Sequence, residues 1–279
     1  MYTIVKKRPL NDSVTWMDVE APLIARKARA GQFIILRVNE TGERIPLTIA
    51  DHDPEKGTIT IIFQKVGKTT LLLDTLEEGE AILDVVGPLG KATEIEGYHR
   101  VAVIGGGVGC AIAYPEAKAF HAAGAQVDMI AGFRNKDIIM LEDEMKAAST
   151  RLFVMTDDGS NGNKGFVTAK LQELLDAGEK YDLVLAIGPL PMMRAVAQVT
   201  APTGIKTLVS MNPIMIDGTG MCGGCRLRVG GETKFACVDG PEFDAHQVDW
   251  DEAMKRLTPY KEEEQHACRL FLQEQGIQK

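Results

Sequence analysis

Residues 211–240 carry the densest metal-ligating chemistry in the chain: three of its five cysteines, Cys222, Cys225 and Cys237, with Asp217 five residues before the first. With the carboxylate counted as a ligand, the spacing is Asp-x4-Cys-x2-Cys-x11-Cys. A plant-type [2Fe–2S] site reads Cys-x4-Cys-x2-Cys followed by a distant Cys, so the register is the same with a carboxylate in the first place. A small cluster needs four anionic ligands wrapped round it by a short loop. Gly218, Gly220, Gly223 and Gly224 let the backbone come close and adopt positive φ. Two other readings stand beside this one. The first is a structural zinc site of three thiolates completed by His246 or Asp217, and the second is a set of unrelated free thiols.

The chain around this loop has 279 residues, enough for two domains and a small appendage. Its hydrophobic content of 45% and charged content of 25% are ordinary for a soluble globular protein. A net charge of −8, with no basic run, argues against a nucleic-acid ligand. No apolar run reaches the roughly 18 residues of a membrane span, and residues 1–10 lack an apolar signal core. These features predict a cytoplasmic protein, in which clustered cysteines hold metal more often than they pair as disulfides.

Residues 2–96 alternate short β-rich runs with turn residues, predicting strands near 2–7, 13–20, 32–38, 45–50, 58–64 and 80–86 and a helix over 69–76. Short strands at this spacing predict a small antiparallel barrel. Two stretches there carry functional character: residues 43–49, with Arg44, Pro46, Leu47 and Thr48, and residues 63–70. The second is not a Walker A loop, which needs Gly where Ile62 stands. It does place Gly67 before a helix start with two hydroxyls, Thr69 and Thr70, where free N–H groups suit a phosphate. A plain helix cap is the alternative.

Composition changes at Tyr98. An apolar strand runs into Gly105-Gly106-Gly107-Val108-Gly109, a helix follows over 110–123, and another apolar strand over 126–131. This is a βαβ unit, and its glycine turn lies where a pyrophosphate sits in nucleotide-binding folds. Strands at 151–156 and 183–187 and a helix at 168–177 extend the alternation, predicting a doubly wound parallel sheet. Ligands of such sheets bind beyond the carboxyl ends of the strands. The loops there are 132–136 with Arg134, 156–162 with Asp157 and Asp158, and 188–193 with Gly188, Pro189 and Met192. Arg134 is a candidate phosphate contact. Asp157 and Asp158 are turn formers or, if functional, a negative charge that disfavours a 2′-phosphate and selects NAD over NADP. Cys110 reads as a small packing residue.

The order of barrel, glycine-rich βαβ domain and cysteine loop resembles the ferredoxin-reductase-type flavoproteins. Within them it is similar to the electron-transfer subunit of dihydroorotate dehydrogenase. It is more similar still to the small subunit of the electron-bifurcating NADH-dependent reduced ferredoxin:NADP oxidoreductase, whose relatives are also called sulfide dehydrogenase. The match is carried by RIPLTI (44–49), VIGGGVG (103–109), GFRNKD (132–137), TDDGSNGNKGFVT (156–168), GPLPMM (188–193) and IMIDGTGMCGGCR (214–226). It covers nearly the whole chain. The last motif is the most specific, since its Asp separates the bifurcating subunit from the all-cysteine relative.

The resemblance implies an antiparallel FAD-binding β-barrel (1–97), a doubly wound parallel NAD-binding domain (98–207), a small iron–sulfur domain (208–249) and a C-terminal helix (250–279). It implies FAD held between barrel and sheet: Pro46, Leu47 and Thr48 would line the isoalloxazine. Ile62, Phe63 and Gln64 would form the second flavin strand, and Gly67, Thr69 and Thr70 the pyrophosphate loop. The family's flavin loop is Arg-x-x-Ser; placing Thr48 on the Ser puts Ile45 on the Arg position, with Arg44 one residue early. Ile187 stands where relatives carry a Cys beside the nicotinamide.

NAD(H) is expected on Gly105, Gly106, Gly107 and Gly109, and the [2Fe–2S] cluster on Asp217, Cys222, Cys225 and Cys237. Hydride exchange between nicotinamide and flavin needs no acid–base side chain, because the cofactors carry the chemistry. The cluster is then expected to relay electrons singly to a larger partner subunit. That partner is implied to hold a second FAD and [4Fe–4S] clusters, with NADP(H) and ferredoxin as substrates. The tail, 250–278, reads as one amphipathic helix with a stripe of Met254, Leu257, Tyr260, Ala267, Leu270 and Phe271. Cys268 and His266 on it read as structural.

Overall fold

The computed structural model describes residues 1–276; the end of the tail predicted as helix, residues 277–279, lies outside the described residues. The N-terminal barrel is built from β1 (Tyr2–Asn11), β2 (Val14–Glu20), β3 (Phe33–Arg37), β4 (Arg44–Asp53), β5 (Thr58–Gln64), β6 (Ala81–Ile82) and β7 (Asp84–Leu89). Their order is β6-β1-β2-β5-β4-β3-β7, with every pair antiparallel. The run expected at 80–86 is two strands, because Leu83 between them turns its N–H to the Val38 carbonyl. Successive side chains on a strand point to opposite faces. Ile34 and Leu36 therefore fill the barrel core with Ile59, Ile61 and Phe63. Phe33 and Ile35 point outward into a core shared with the rest of the chain. Helix α1 (Pro22–Ala25) is a single turn begun by a proline, too short to show a helical period, and α2 (Lys68–Thr75) follows β5.

The second part alternates β8 (Arg100–Gly106), α3 (Gly109–Ala122), β9 (Gln126–Phe133), α4 (Glu142–Ala147), β10 (Arg151–Thr156), α5 (Val167–Asp176), β11 (Leu183–Ile187), α6 (Leu190–Thr200) and β12 (Thr207–Ser210). Strand order is β10-β9-β8-β11-β12, all parallel, so the order reverses between β8 and β11. Residues 188–193 are not a loop throughout, as the sequence suggested. Helix α6 starts at Leu190, with Pro189 and Pro191 at its first positions, where a missing N–H costs nothing.

The cysteine segment holds a hairpin, β13 (Arg226–Val229) and β14 (Glu232–Phe235), a turn of helix α7 (Ala236–Asp239) and strand β15 (Glu242–Asp244). β15 returns to the large sheet and pairs antiparallel with β12. The tail is two helices rather than one, α8 (Trp250–Lys255) and α9 (Lys261–Glu274). Pro259 breaks it, since proline lacks an N–H and disfavours helix in the residue before it; Tyr260 turns the chain at φ 67°. Of the apolar stripe, Phe271 is buried at 7% exposure, whereas Leu257, Tyr260 and Leu270 are exposed at 43%, 66% and 46%. Among the described residues no helix is long and apolar enough to cross a membrane.

Two polar clusters fasten this architecture. At the sheet end away from the glycine turn, buried Asp128 accepts from Arg151 Nε at 2.7 Å and from the Tyr181 hydroxyl at 2.7 Å, with Arg100 at 3.3 Å. Burial pushes the Asp128 carboxyl up, but the bonds from Arg151, Tyr181 and Arg100 outweigh it and hold the group below the usual carboxylate range. The second cluster joins barrel, α3 and β15. The Thr93 hydroxyl donates to Glu242 at 2.9 Å, and buried Glu116 beside it leaves Oε2 without a hydrogen-bond partner among the described residues. Burial, then the Glu242 charge, raises Glu116; burial also pushes Glu242 up to about 7.

Removing Asp128 leaves the buried Tyr181 hydroxyl without its acceptor, while Arg100 and Arg151 keep Glu179. Asp128→Ala is expected to lower unfolding free energy by about 1–3 kcal/mol, read by denaturant titration. The carboxyl pair acts oppositely with pH. A carboxyl whose pKa is raised on folding binds more protons folded than unfolded, so stability falls as pH rises from the ordinary carboxylate range through about 7. Thermal melts between pH 5 and 8 should show that decline in the parent and a flatter profile in Glu242→Gln.

Candidate functional site

The loop between β12 and β13 is a hook. Asp217 Oδ1 accepts from the Thr219 amide at 2.9 Å and Oδ2 from the Cys222 amide at 2.7 Å, so the carboxylate lies against the start of the Cys222 turn. Those amide bonds, Thr219 foremost, hold the Asp217 carboxyl below its usual range, as an anion. Cys225 and Cys237 form the other half, buried with sulfurs 3.2 Å apart. Burial, and the neighbouring Cys225, push the Cys237 thiol up to about 12. As a thiol Cys237 keeps its proton; a bound metal would displace it.

Asp217 thus meets Cys222 at its amide and Cys225 meets Cys237 sulfur to sulfur, and among the described residues no three of these side chains converge on one point. A diiron cluster takes two protein ligands on each iron, whereas zinc wants four about one centre. Two sulfurs 3.2 Å apart can share one ion at bond lengths of about 2.3 Å. The donor set therefore fits a [2Fe–2S] cluster better than zinc. His246, the other candidate zinc ligand, faces α6 instead, with Nε2 3.0 Å from Thr200 Oγ1.

The hook rests on the barrel. In the β3–β4 pair, Phe33 faces Thr48, Ile35 faces Pro46 and Arg37 faces Arg44. These residues share the outer face, while Ile45 and Leu47 turn toward the barrel core. Arg44 Nε donates to the Ile216 carbonyl at 2.8 Å, and Gly218 packs on Ile35 and Leu89. Pro46 and Thr48, two of the expected flavin-lining residues, therefore lie on the face that carries the hook, whereas Leu47 lies on the other. On β5, Phe63 is sealed in the barrel core, Ile62 is buried between barrel and sheet, and half-buried Gln64 ends the strand. Thr70 Oγ1 closes the next turn by accepting from the Val66 and Gly67 amides, both at 3.1 Å. The buried Thr69 hydroxyl donates to Glu43 at 3.4 Å, while a side chain at Gly67 would meet nothing within 4 Å, leaving that flank open for a pyrophosphate.

Across from the barrel, the glycine turn sits where strand order reverses, the usual place for a nucleotide. Gly105 and Gly106 end β8, Gly107 makes the turn and Gly109 opens α3. Only a residue without a side chain fits at Gly109, where a Cβ would strike the Ile187 carbonyl. Gly188, Pro189 and Met192 close on Gly106 from the β11 side. Helix α3, which the turn opens, then packs against β4, with Lys118 on Asp51. Farther out, exposed Arg134 accepts the Asp158 amide with its carbonyl at 3.3 Å. Asp158 is a turn former, its Oδ1 accepting from the Ser160 amide at 2.9 Å, while Asp157 projects exposed beside it. Cys110 is fully buried, which pushes its thiol up to about 12, as suits a packing residue.

The sequence left the role of Arg44 open and gave no sign of Arg256. Strand alternation puts Arg44 on the face of Pro46 and Thr48 and opposite to Ile45. Arg256, at the end of α8, donates from Nη2 to the Gly224 carbonyl at 3.0 Å and holds the cysteine half of the hook; no sequence pattern marks it.

Residues 212–249 match the family model of the iron–sulfur cluster binding domain of dihydroorotate dehydrogenase B, and residues 103–198 that of the oxidoreductase NAD-binding domain. A Thermotoga maritima protein, the homolog of the dihydroorotate dehydrogenase B (NAD(+)) electron transfer subunit, is 48% identical, covering 98% of this chain and 96% of its own length. The electron transfer subunit of that enzyme from Bacillus pumilus is 31% identical, over 88% of this chain and 96% of its own. A chain of the NADH-dependent reduced ferredoxin-NADP oxidoreductase, solved for insight into flavin-based electron bifurcation, superposes with a TM-score of 0.92 at 46% identity, over 98% of both chains. With its three-part fold and its cysteine hook, the chain belongs to the family of the dihydroorotate dehydrogenase B electron-transfer subunits and their homologues.

Proposed function

We propose that this chain is the NAD(H)-linked, FAD- and [2Fe–2S]-carrying subunit of an electron-bifurcating NADH-dependent ferredoxin:NADP oxidoreductase. The observation that carries this reading is the seat of the hook: the outer face of β4, with Pro46 and Thr48, is the face to which Arg44 binds the Ile216 carbonyl. A flavin against that strand and a cluster in the hook would be neighbours. When bound, the cofactors supply the redox chemistry, exchanging hydride between nicotinamide and flavin and passing electrons singly through the cluster.

The chain's own residues bind and orient. Gly105, Gly106, Gly107 and Gly109, with Gly188, Pro189 and Met192, would receive the NAD(H) pyrophosphate, and Arg134 would stand ready for its phosphates. Pro46, Leu47 and Thr48 would bound the flavin, the first and third by side chain and the second by backbone. Ile62, Phe63 and Gln64 would support it from β5, and Gly67, Thr69 and Thr70 would take its pyrophosphate. Asp217 and Cys222 would hold one iron, Cys225 and Cys237 the other.

The relatives are electron-transfer subunits, which implies a larger partner. We assign to that partner the second FAD, the [4Fe–4S] clusters and the NADP(H) and ferredoxin sites. A second reading, service to dihydroorotate dehydrogenase, is favoured by the relatives' names. The carboxylate at Asp217 favours the bifurcating complex, and the protein that co-purifies with the chain decides between them.

Purified alone with its cofactors, the chain is expected to be yellow-brown, with one FAD and two irons, and to reduce ferricyanide with NADH. Ferredoxin-coupled NADP reduction should appear only with the partner. A colourless zinc protein, or coupled activity from the single chain, would overturn the proposal. Asp157→Asn removes an exposed negative charge and should raise the NADPH-to-NADH ratio of kcat/KM by about tenfold, the factor given by about 1.4 kcal/mol of relieved repulsion. An unchanged ratio would remove Asp157 from cofactor selection.

A further inference from the structure

The two halves of the hook are fastened at different places. Cys225 and Cys237 lie in a core that joins Ala186, Val209 and Phe243 of the large sheet to Phe33 and Ile35 of the barrel. The Asp217 half is held by the barrel from both sides of the carboxylate. On one side, the Arg44 guanidinium takes the Ile216 carbonyl at 2.8 Å, while its Nη1 lies 3.8 Å from Asp84 on β7, which orients the group. On the other, Gly218 at φ 77° presses so closely on the barrel that a Cβ would lie 2.6 Å from Leu89 Cδ1 and 3.0 Å from Ile35 Cδ1. Asp217 is the residue between these anchors, and its second oxygen fixes the Cys222 amide at 2.7 Å.

We propose that Arg44 and Gly218 are positioning residues that dock the carboxylate half of the hook onto the outer face of the flavin strand. The shell is then complete only while that half stays seated on the barrel face. This rests on the reading of Asp217 as an iron ligand. The strand's two-residue period supplies the reason for Arg44: one place later it would face the barrel-core side with Ile45, but at 44 it shares a face with Pro46 and Thr48 and meets the hook. An arginine suits the task because its planar fork can hold a carbonyl and a carboxylate together, which a lysine ammonium does with less fixed geometry.

The test uses the cofactor-loaded full chain and four variants, Arg44→Ala, Arg44→Lys, Gly218→Ala and Asp217→Asn. Three quantities are read on the iron-replete fraction: the EPR spectrum of the reduced cluster, its midpoint potential, and the rate of iron release to a chelator. Flavin absorbance and the melting curve report folding. Asp217→Asn should change the spectrum. Arg44→Ala and Gly218→Ala should shift spectrum and potential and speed iron release by about tenfold, the factor that matches about 1.4 kcal/mol, with flavin retained. Arg44→Lys should restore part of the loss. Parent-like spectra, potentials and release in both Arg44→Ala and Gly218→Ala, beside a changed Asp217→Asn spectrum, would overturn the positioning proposal and leave the ligand reading intact. A parent-like Asp217→Asn spectrum would overturn the ligand reading itself, and the proposal with it.

Discussion

The constraint on which the rest of this molecule depends is the seating of one loop, with Asp217 against the Cys222 amide and Cys225 against Cys237, where the barrel meets the large sheet. Carboxylate and thiolate are costly to bury without a cation, and the chain limits that cost locally. The Asp217 carboxylate is satisfied by the Thr219 and Cys222 amides, and Cys225 and Cys237 are buried as a close sulfur pair.

From that seam the architecture follows. The barrel supplies a flat outer face on β3 and β4, apolar at Phe33 and Ile35 and cationic at Arg44, on which the hook can rest. The parallel sheet supplies a nucleotide turn at its point of reversal, and α3 runs from that turn to β4. Strand β15 brings the chain out of the hook and back into the sheet beside β12, so the cysteine segment is bounded by barrel and sheet rather than free to swing. Apolar cores run through both seams: Val14, Ala50 and Ile62 of the barrel join the large-sheet core, and Phe33 and Ile35 join the core that holds the cysteines. Barrel, sheet and hook are in this sense one packed unit, and the Thr93–Glu242 bond with Glu116 beside it adds a proton-sensitive fastening at their junction.

Much of this was legible in the sequence where period and burial agree. The strands at Thr58–Gln64, Arg151–Thr156 and Leu183–Ile187 lie where the apolar runs put them, because buried strands leave no room for another pattern. Helix α6 was hidden by Pro189 and Pro191, which look like loop residues but suit a first helical turn. The tail's single period concealed a break at Pro259. In the candidate site, spacing alone marked the four candidate donors, since they lie in one local segment. Residue types could not reveal which face a side chain takes or what lies opposite: Arg44 and Arg256 meet the hook from residues 172 and 32 positions away. Phe63 and Leu47 were named for a flavin strand, but their side chains serve the barrel core.

The most direct measurement of the central claim is the Mössbauer spectrum of the oxidised, 57Fe-loaded chain. Two-and-two pairing with one carboxylate predicts two iron sites in equal amount and inequivalent, one held by protein sulfur alone and one by sulfur and oxygen. Two equivalent irons, a single iron, or zinc in their place would contradict it.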